Sequence, residues 1–186
     1  MPSNSETSPE AVLAFWFAPG RREQWFAKCP EFDAEVRRCL LGPYERAAAG
    51  DFDHWRDSAN GCLALCLLLD QVPRNLFRDD PRAFATDAEA RAVLRHALEQ
   101  GFDRALSQIE RLFLYLPFEH SEDLKDQEDC VRLTKALDED PEWYDYAVKH
   151  RDIIARFGRF PHRNAVLGRD CSEEEAAFLE QPGSSF

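Results

Sequence analysis

The sequence predicts an all-α protein, a stack of antiparallel helical hairpins with about eight helices and no sheet. Three observations carry that expectation. Helix-start signatures recur along the whole chain, no stretch alternates apolar and polar residues for long enough to make a half-buried strand, and the links between helical patterns are short. Short links force successive helices to run antiparallel.

The elements follow in order. Ser8, Pro9 and Glu10 supply an N-cap, a first-turn proline and an acid matched to the helix dipole, opening "EAVLAFWF", which "APG" closes. Pro30 opens a second helix through Leu41, where Gly42 and Pro43 are expected to kink or break it before "YERAAAG" resumes the pattern. A third begins near Ser58, holds the apolar run "CLALCLLL", and is expected to end around Val72 because Pro73 disfavours helix before it. Thr86 with Glu89, Ser107 with Glu110 and Ser172 with Glu175 each have the capping-box form, a hydroxyl followed three residues later by glutamate. Ser121, with Glu122 and Asp123 after it, opens another helix. Asp140, with Pro141 and Glu142, opens one that runs to Gly158.

At 186 residues the chain fits one domain, residues 1–186, with 8–180 as its ordered core and short flexible ends. A chain of that size buries roughly 70% of its unfolded surface and needs no metal or disulfide to fold. With 35 Asp and Glu against 23 Lys and Arg, its field repels phosphate backbones and anionic lipid, so neither nucleic acid nor a membrane is an expected partner. The first ten residues lack the basic and apolar segments of a secretory signal, and "CLALCLLL" is far short of the ~20 residues that span a bilayer, so a soluble, cytoplasmic protein is expected. The six cysteines form no C-x-x-C pair and read as thiols; Cys62 and Cys66, one turn apart in the apolar run, read as core. "FWF" at 15–17, Trp25 and Phe26 read as core aromatics, His96 as a surface residue, and "GDFDHWRD" as a turn or short helix.

Three polar segments stand out, each beside a strongly apolar run. "LLLDQVPRNLF" brings Asp70, Gln71, Arg74 and Asn75 to a helix C-terminus. In "LFLYLPFEHSEDLKDQ", Pro117 is expected to break a helix and deliver Glu119, His120 and Asp123 at the next helix start. "HRDIIARFGRFPHRN" carries His150 on a helix and Arg159, His162, Arg163 and Asn164 in the loop after it.

Together these segments resemble the bacterial family called domain of unknown function 924. "FWF", "DQVPRNLFRDDPRAFATD", "FLYLPFEHSEDLKDQ" and "HRDIIARFGRFPHRNAVLGR" occur in its order, from about Ala11 to Leu179. The resemblance implies an all-helical fold grouped with the tetratricopeptide-like superfamily, although the chain shows no repeat consensus at the ~34-residue period. It implies no established activity and no assigned catalytic residue.

The residues leave several readings open. The arginines of "RFGRFPHRN" can strap the fold by pairing with carboxylates of the other segments. Hairpin stacking can instead gather Asp70, Arg74, Asn75, Glu119, His120, Asp123, His150, Arg159, His162, Arg163 and Asn164 into one pocket. Arg74, Arg159 and Arg163 suit a small anion such as a phosphate or carboxylate. Glu119, His120 and His150 are the candidates for acid–base or metal-assisted catalysis in an enzyme of hydrolase type. A third possibility is a scaffold whose concave face holds a peptide or protein partner. No H-E-x-x-H or E-x-x-H pair occurs, and neither a metal nor a cofactor is expected.

Overall fold

A computed structural model describes residues 7–184; the ends expected to be flexible lie mostly outside them. The described residues form helices and turns without a strand. The α-helices are α1 (Pro9–Trp16), α2 (Pro30–Ala48), α3 (Ala59–Cys66), α4 (Val72–Leu76), α5 (Asp87–Gln100), α6 (Gln108–Glu119), α7 (Leu124–Thr134), α8 (Pro141–Phe157) and α9 (Glu173–Leu179). A π-helical stretch, Leu67–Gln71, joins α3 to α4 without a break, so the nine segments make eight rods. None of the described helices is long and apolar enough to cross a membrane.

Most caps are made as the sequence dictates. Ser8 accepts from the Ala11 amide, Asp140 from Glu142, and Ser107 and Ser172 form reciprocal capping boxes with Glu110 and Glu175. Gly158 ends α8 in the left-handed conformation at φ 68°, where a side chain is disfavoured. Gly61 is fixed for a different reason. A Cβ there would stand 1.9 Å from the Trp55 carbonyl oxygen, so the turn Asp53–Asp57 packs on α3 only against glycine.

Three prolines expected to interrupt helices do not, and the reasons are tertiary. Pro43 lies inside α2, whose buried Phe32, Val36, Leu40, Tyr44 and Ala47 form one stripe, so packing outweighs the roughly 3 kcal/mol that an internal proline costs. Pro73 cannot donate to the Leu69 carbonyl one turn back. The Thr86 hydroxyl donates to that carbonyl instead, at 2.5 Å, and the wide π turn carries the helix on to Leu76. With its hydroxyl used there, Thr86 does not cap α5. Pro117 lies within α6, which is buried along Leu112–Glu119 and packed against α3, α5, α7 and α8. Glu119 therefore ends α6 and His120 caps it, rather than opening the next helix. Asp123, not Ser121, caps α7, accepting from the Lys125 amide at 2.8 Å.

The main core surrounds α3 and α6. Trp16 and Phe113, both fully buried, meet edge to face at 5.9 Å. Cys62, Cys66 and Cys130 are buried thiols within it, and all six cysteines are free. A smaller cluster of Ile153, Ile154 and Phe160, covered by Phe157 and Phe178, fastens α9 to α8. His54 is exposed, but His96 is half-buried, its Nε2 3.1 Å from the Arg56 carbonyl oxygen.

Candidate functional site

Where α6 ends, the π stretch meets α4 and α8 passes overhead, the fold leaves a cavity of about 680 Å³. That volume suits a small organic ligand. Its lining is both apolar, with Trp25, Phe26, Phe84, Leu116, Trp143 and Tyr146, and polar, with Arg74, Glu119, His120, His150, His162 and Arg163. Trp25 is held at the rim by its indole N–H, which donates to the Trp16 carbonyl at 2.9 Å. Phe26 beside it is 65% exposed.

Asp70 is the buried foundation of the polar wall. Gln71 Nε2 donates to its Oδ2 at 2.7 Å, and Arg74 Nη1 stands 3.2 Å from Oδ1. His120 Nδ1 lies 2.9 Å from both carboxylate oxygens. Burial alone would push the Asp70 carboxyl up, but Arg74, His120 and Gln71 outweigh it and hold the group below the ordinary carboxylate range. Two hydrogen bonds from Gln127 Nε2, to the carbonyls of Glu119 at 2.6 Å and Ser121 at 2.7 Å, fix the turn that presents Glu119 and His120.

Glu119 behaves oppositely. Burial, together with the nearby Asp70 charge, pushes its carboxyl up to about 8, so it is protonated at neutral pH. His150 Nδ1 lies 3.5 Å from Glu119 Oε1 and 2.8 Å from the Tyr146 carbonyl oxygen. Burial, helped by His120, lowers His150 to about 3; burial and Arg163 lower His162 to about 4. His120 is also lowered, burial outweighing its Asp70 partner. The three imidazoles are neutral at neutral pH.

Among the described residues three arginines line the cavity, and Arg78 is held by Asp33 at 2.8 Å; the other two differ sharply. Arg74 forks onto Asp87 at 2.9 and 3.1 Å; burial opposes its charge, but Asp70 and Asp87 more than restore it. Arg163, with its side chain 7% exposed, has its nearest carboxylate oxygen at 3.8 Å, on Asp87. Its Nε is buried without a hydrogen-bond partner among the described residues, and its guanidinium lies over Phe160 and Phe84 at 4.4 and 4.7 Å. Burial and repulsion from Arg74 bring it down to about 10.

The cavity therefore gathers Arg74, Asn75, Glu119, His120, His150, His162 and Arg163, with Asp70 behind His120. Asn75 is braced from outside the cavity, its Nδ2 donating to Asp33 at 2.8 Å. The expectation of one shared pocket needs three corrections. Arg159 turns away to fork onto Glu175 at 2.6 and 2.8 Å, because Gly158 reverses the chain just before it. Asp123 is exposed and spent on its cap, so it does not share a ligand face with Glu119. Asn164 is buried, but lines a separate cavity of about 450 Å³ beside α9. Among the described residues no group of three or more His, Cys, Asp or Glu is placed to hold a metal ion.

Sequence reasoning missed Asp87, the partner of Arg74, and the aromatic lining: Trp25 and Phe26, expected in the core, line the cavity instead, with Trp143 and Tyr146. Trp143, Tyr146 and His150 recur at i, i+3 and i+7, one face of α8, and that spacing was available. Nothing local to Asp87 marks it: it sits in the first turn of α5, where an acid reads as a dipole match.

A family described as bacterial protein of unknown function, DUF924, matches residues 12–183. The chain belongs to DUF924. The solved structure of ATU0120, a protein of unknown function from Agrobacterium tumefaciens, is 40% identical to it and superposes with a TM-score of 0.88. The likeness covers 92% of this chain and 96% of that one. No curated protein matches the chain. The motifs quoted from Asp70, Phe113 and His150 onward are those that build the polar wall of this DUF924 cavity.

Proposed function

We propose that the cavity binds a small organic anion, a carboxylate or phosphate carried on an apolar body. One observation carries this reading: Arg163 is a buried guanidinium at the cavity wall that no carboxylate approaches closely enough to neutralise. A buried charge whose ion pair is as long as 3.8 Å is costly, whereas an incoming carboxylate or phosphate would satisfy the planar fork. Arg74 is already satisfied by Asp70 and Asp87, so it is a second, weaker attraction. The aromatic lining supplies apolar area for the rest of the ligand, and neutral Glu119 adds a hydrogen-bond donor.

Thermal-shift titration with phenylacetate, phenyl phosphate and inorganic phosphate tests the reading. A probe at 100 times its Kd adds about 2.7 kcal/mol of stability. The expected result is a shift with the aryl anions that disappears in Arg163→Met. No shift with any anion would remove the proposal.

A further inference from the structure

We propose that the cavity is the active centre of an enzyme that enolises a 2-oxo acid bearing an apolar side chain, with His120 as general base and Glu119 as general acid. The proposal rests on the anion-binding reading of Arg163 and adds a reaction to it.

The base is set by geometry. With Nδ1 2.9 Å from both oxygens of the Asp70 carboxylate, the imidazole donates its Nδ1–H there, which leaves the lone pair on Nε2. The ring lines the cavity, and no described residue hydrogen-bonds to Nε2. Asp70 cannot swing away, because Gln71 and Arg74 hold it and it is wholly buried. A carboxylate that orients an imidazole and favours its protonation is the arrangement general-base catalysis needs.

The acid is the adjacent residue. Glu119 lines the same cavity, and its burial beside Asp70 keeps it protonated at neutral pH. Two neighbouring groups with ionisation pushed in opposite directions divide the roles of acid and base. No serine, threonine or cysteine is among the described residues lining the cavity, so His120 has no protein nucleophile of those types to activate. The proton it removes belongs to what the cavity binds.

A 2-oxo acid matches this wall group by group. Its carboxylate pairs with Arg163, its C2 carbonyl oxygen meets Glu119, its C3–H meets His120, and its side chain packs on the aromatic lining. His120 Nε2 takes the proton from C3. The C3–H electron pair becomes the C2–C3 double bond, the carbonyl π pair moves to oxygen, and that oxygen takes the Glu119 proton. The product is the enol. His120 is left protonated and Glu119 ionised, and one proton passing from the first to the second resets the pair. Nothing is oxidised or reduced.

Phenylpyruvate carries every one of these groups, and in D₂O the loss of its C3 proton signal reads the exchange rate by NMR. Wild-type protein should speed that loss saturably. His120→Asn should slow the protein-dependent rate about 100-fold while phenylpyruvate still raises the melting temperature. Glu119→Gln, which keeps shape and neutrality but has no acidic proton, should also slow it, and it serves if the first variant does not fold. Binding of phenylpyruvate without acceleration, or acceleration undiminished in both variants, overturns the enzyme and leaves the anion pocket standing. Binding of phenylacetate but not of phenylpyruvate overturns it too. If no aryl anion binds, the pocket reading itself has failed and the enzyme falls with it.

Discussion

Arg159 and Arg163 lie one helical turn apart in sequence, in the most basic stretch of an acidic chain, and they serve opposite ends. Arg159 forks onto Glu175, Arg156 onto Glu174 at 2.8 Å, and Arg169 onto Glu122 at 2.7 and 3.0 Å. Those pairs clamp α9 and the last loop to the body. Arg163 turns inward, over Phe160 and Phe84, with no carboxylate nearer than 3.8 Å. A single run of positive charge is thus divided by which side chains find a close acid: one part is architecture, and the other is the group proposed to receive an anion. In a chain of net charge -12, a buried arginine whose nearest carboxylate oxygen stands 3.8 Å away is a place to look for a site.

The largest expected effect lies at the foundation of the polar wall. Asp70→Ala leaves Arg74 and His120 without their shared buried carboxylate and should cost about 3–5 kcal/mol in urea unfolding. A loss below 1 kcal/mol would show that the wall stands without it.

Next comes a pH effect. Glu119 has a folded pKa near 8, above its ordinary 4.5, so its contribution to stability is complete below about 4.5 and is lost as pH rises through 8. His150 and His162, lowered to about 3 and 4, contribute fully above about 6.5 and lose that contribution as pH falls through those values. Stability should therefore peak near pH 6.5, where the declining Glu119 contribution overtakes the gain from the two histidines. Glu119→Gln should abolish the decline on the alkaline side, worth about 2 kcal/mol, and steepen the rise between about pH 4.5 and 6.5, where Glu119 opposes the histidines. An alkaline decline identical in the variant would contradict a neutral, buried Glu119.

How much of this was legible in the sequence differs by element. Local chemistry sufficed for the caps at Ser8, Ser107, Asp140, Ser172 and Gly158, because each depends on residues within one turn. It failed at Pro73, because the group that takes over the Leu69 carbonyl is Thr86, on another element. It failed likewise at Pro43 and Pro117, where helix continuity is a property of the packed face rather than of the proline. Asp70, Glu119, His120, His150 and Arg163 stood out as polar groups beside apolar runs, which is where a core edge must be. Arg159 and Arg163 could not be told apart, because their partners Glu175 and Asp87 lie 16 residues after the one and 76 before the other.

The smallest change in the folded protein is expected at Arg163, and it tests the division of labour most directly. Thermal denaturation of Arg159→Ala and Arg163→Met, each with and without phenylpyruvate, separates the two roles. The account predicts that Arg159→Ala melts earlier than wild type yet keeps its ligand-induced shift. Arg163→Met should melt at or above the wild-type temperature, relieved of a buried charge held only by a 3.8 Å ion pair, and show no shift. If Arg163→Met instead melts early and still responds to the ligand, the guanidinium is part of the frame and the cavity is not built to receive an anion.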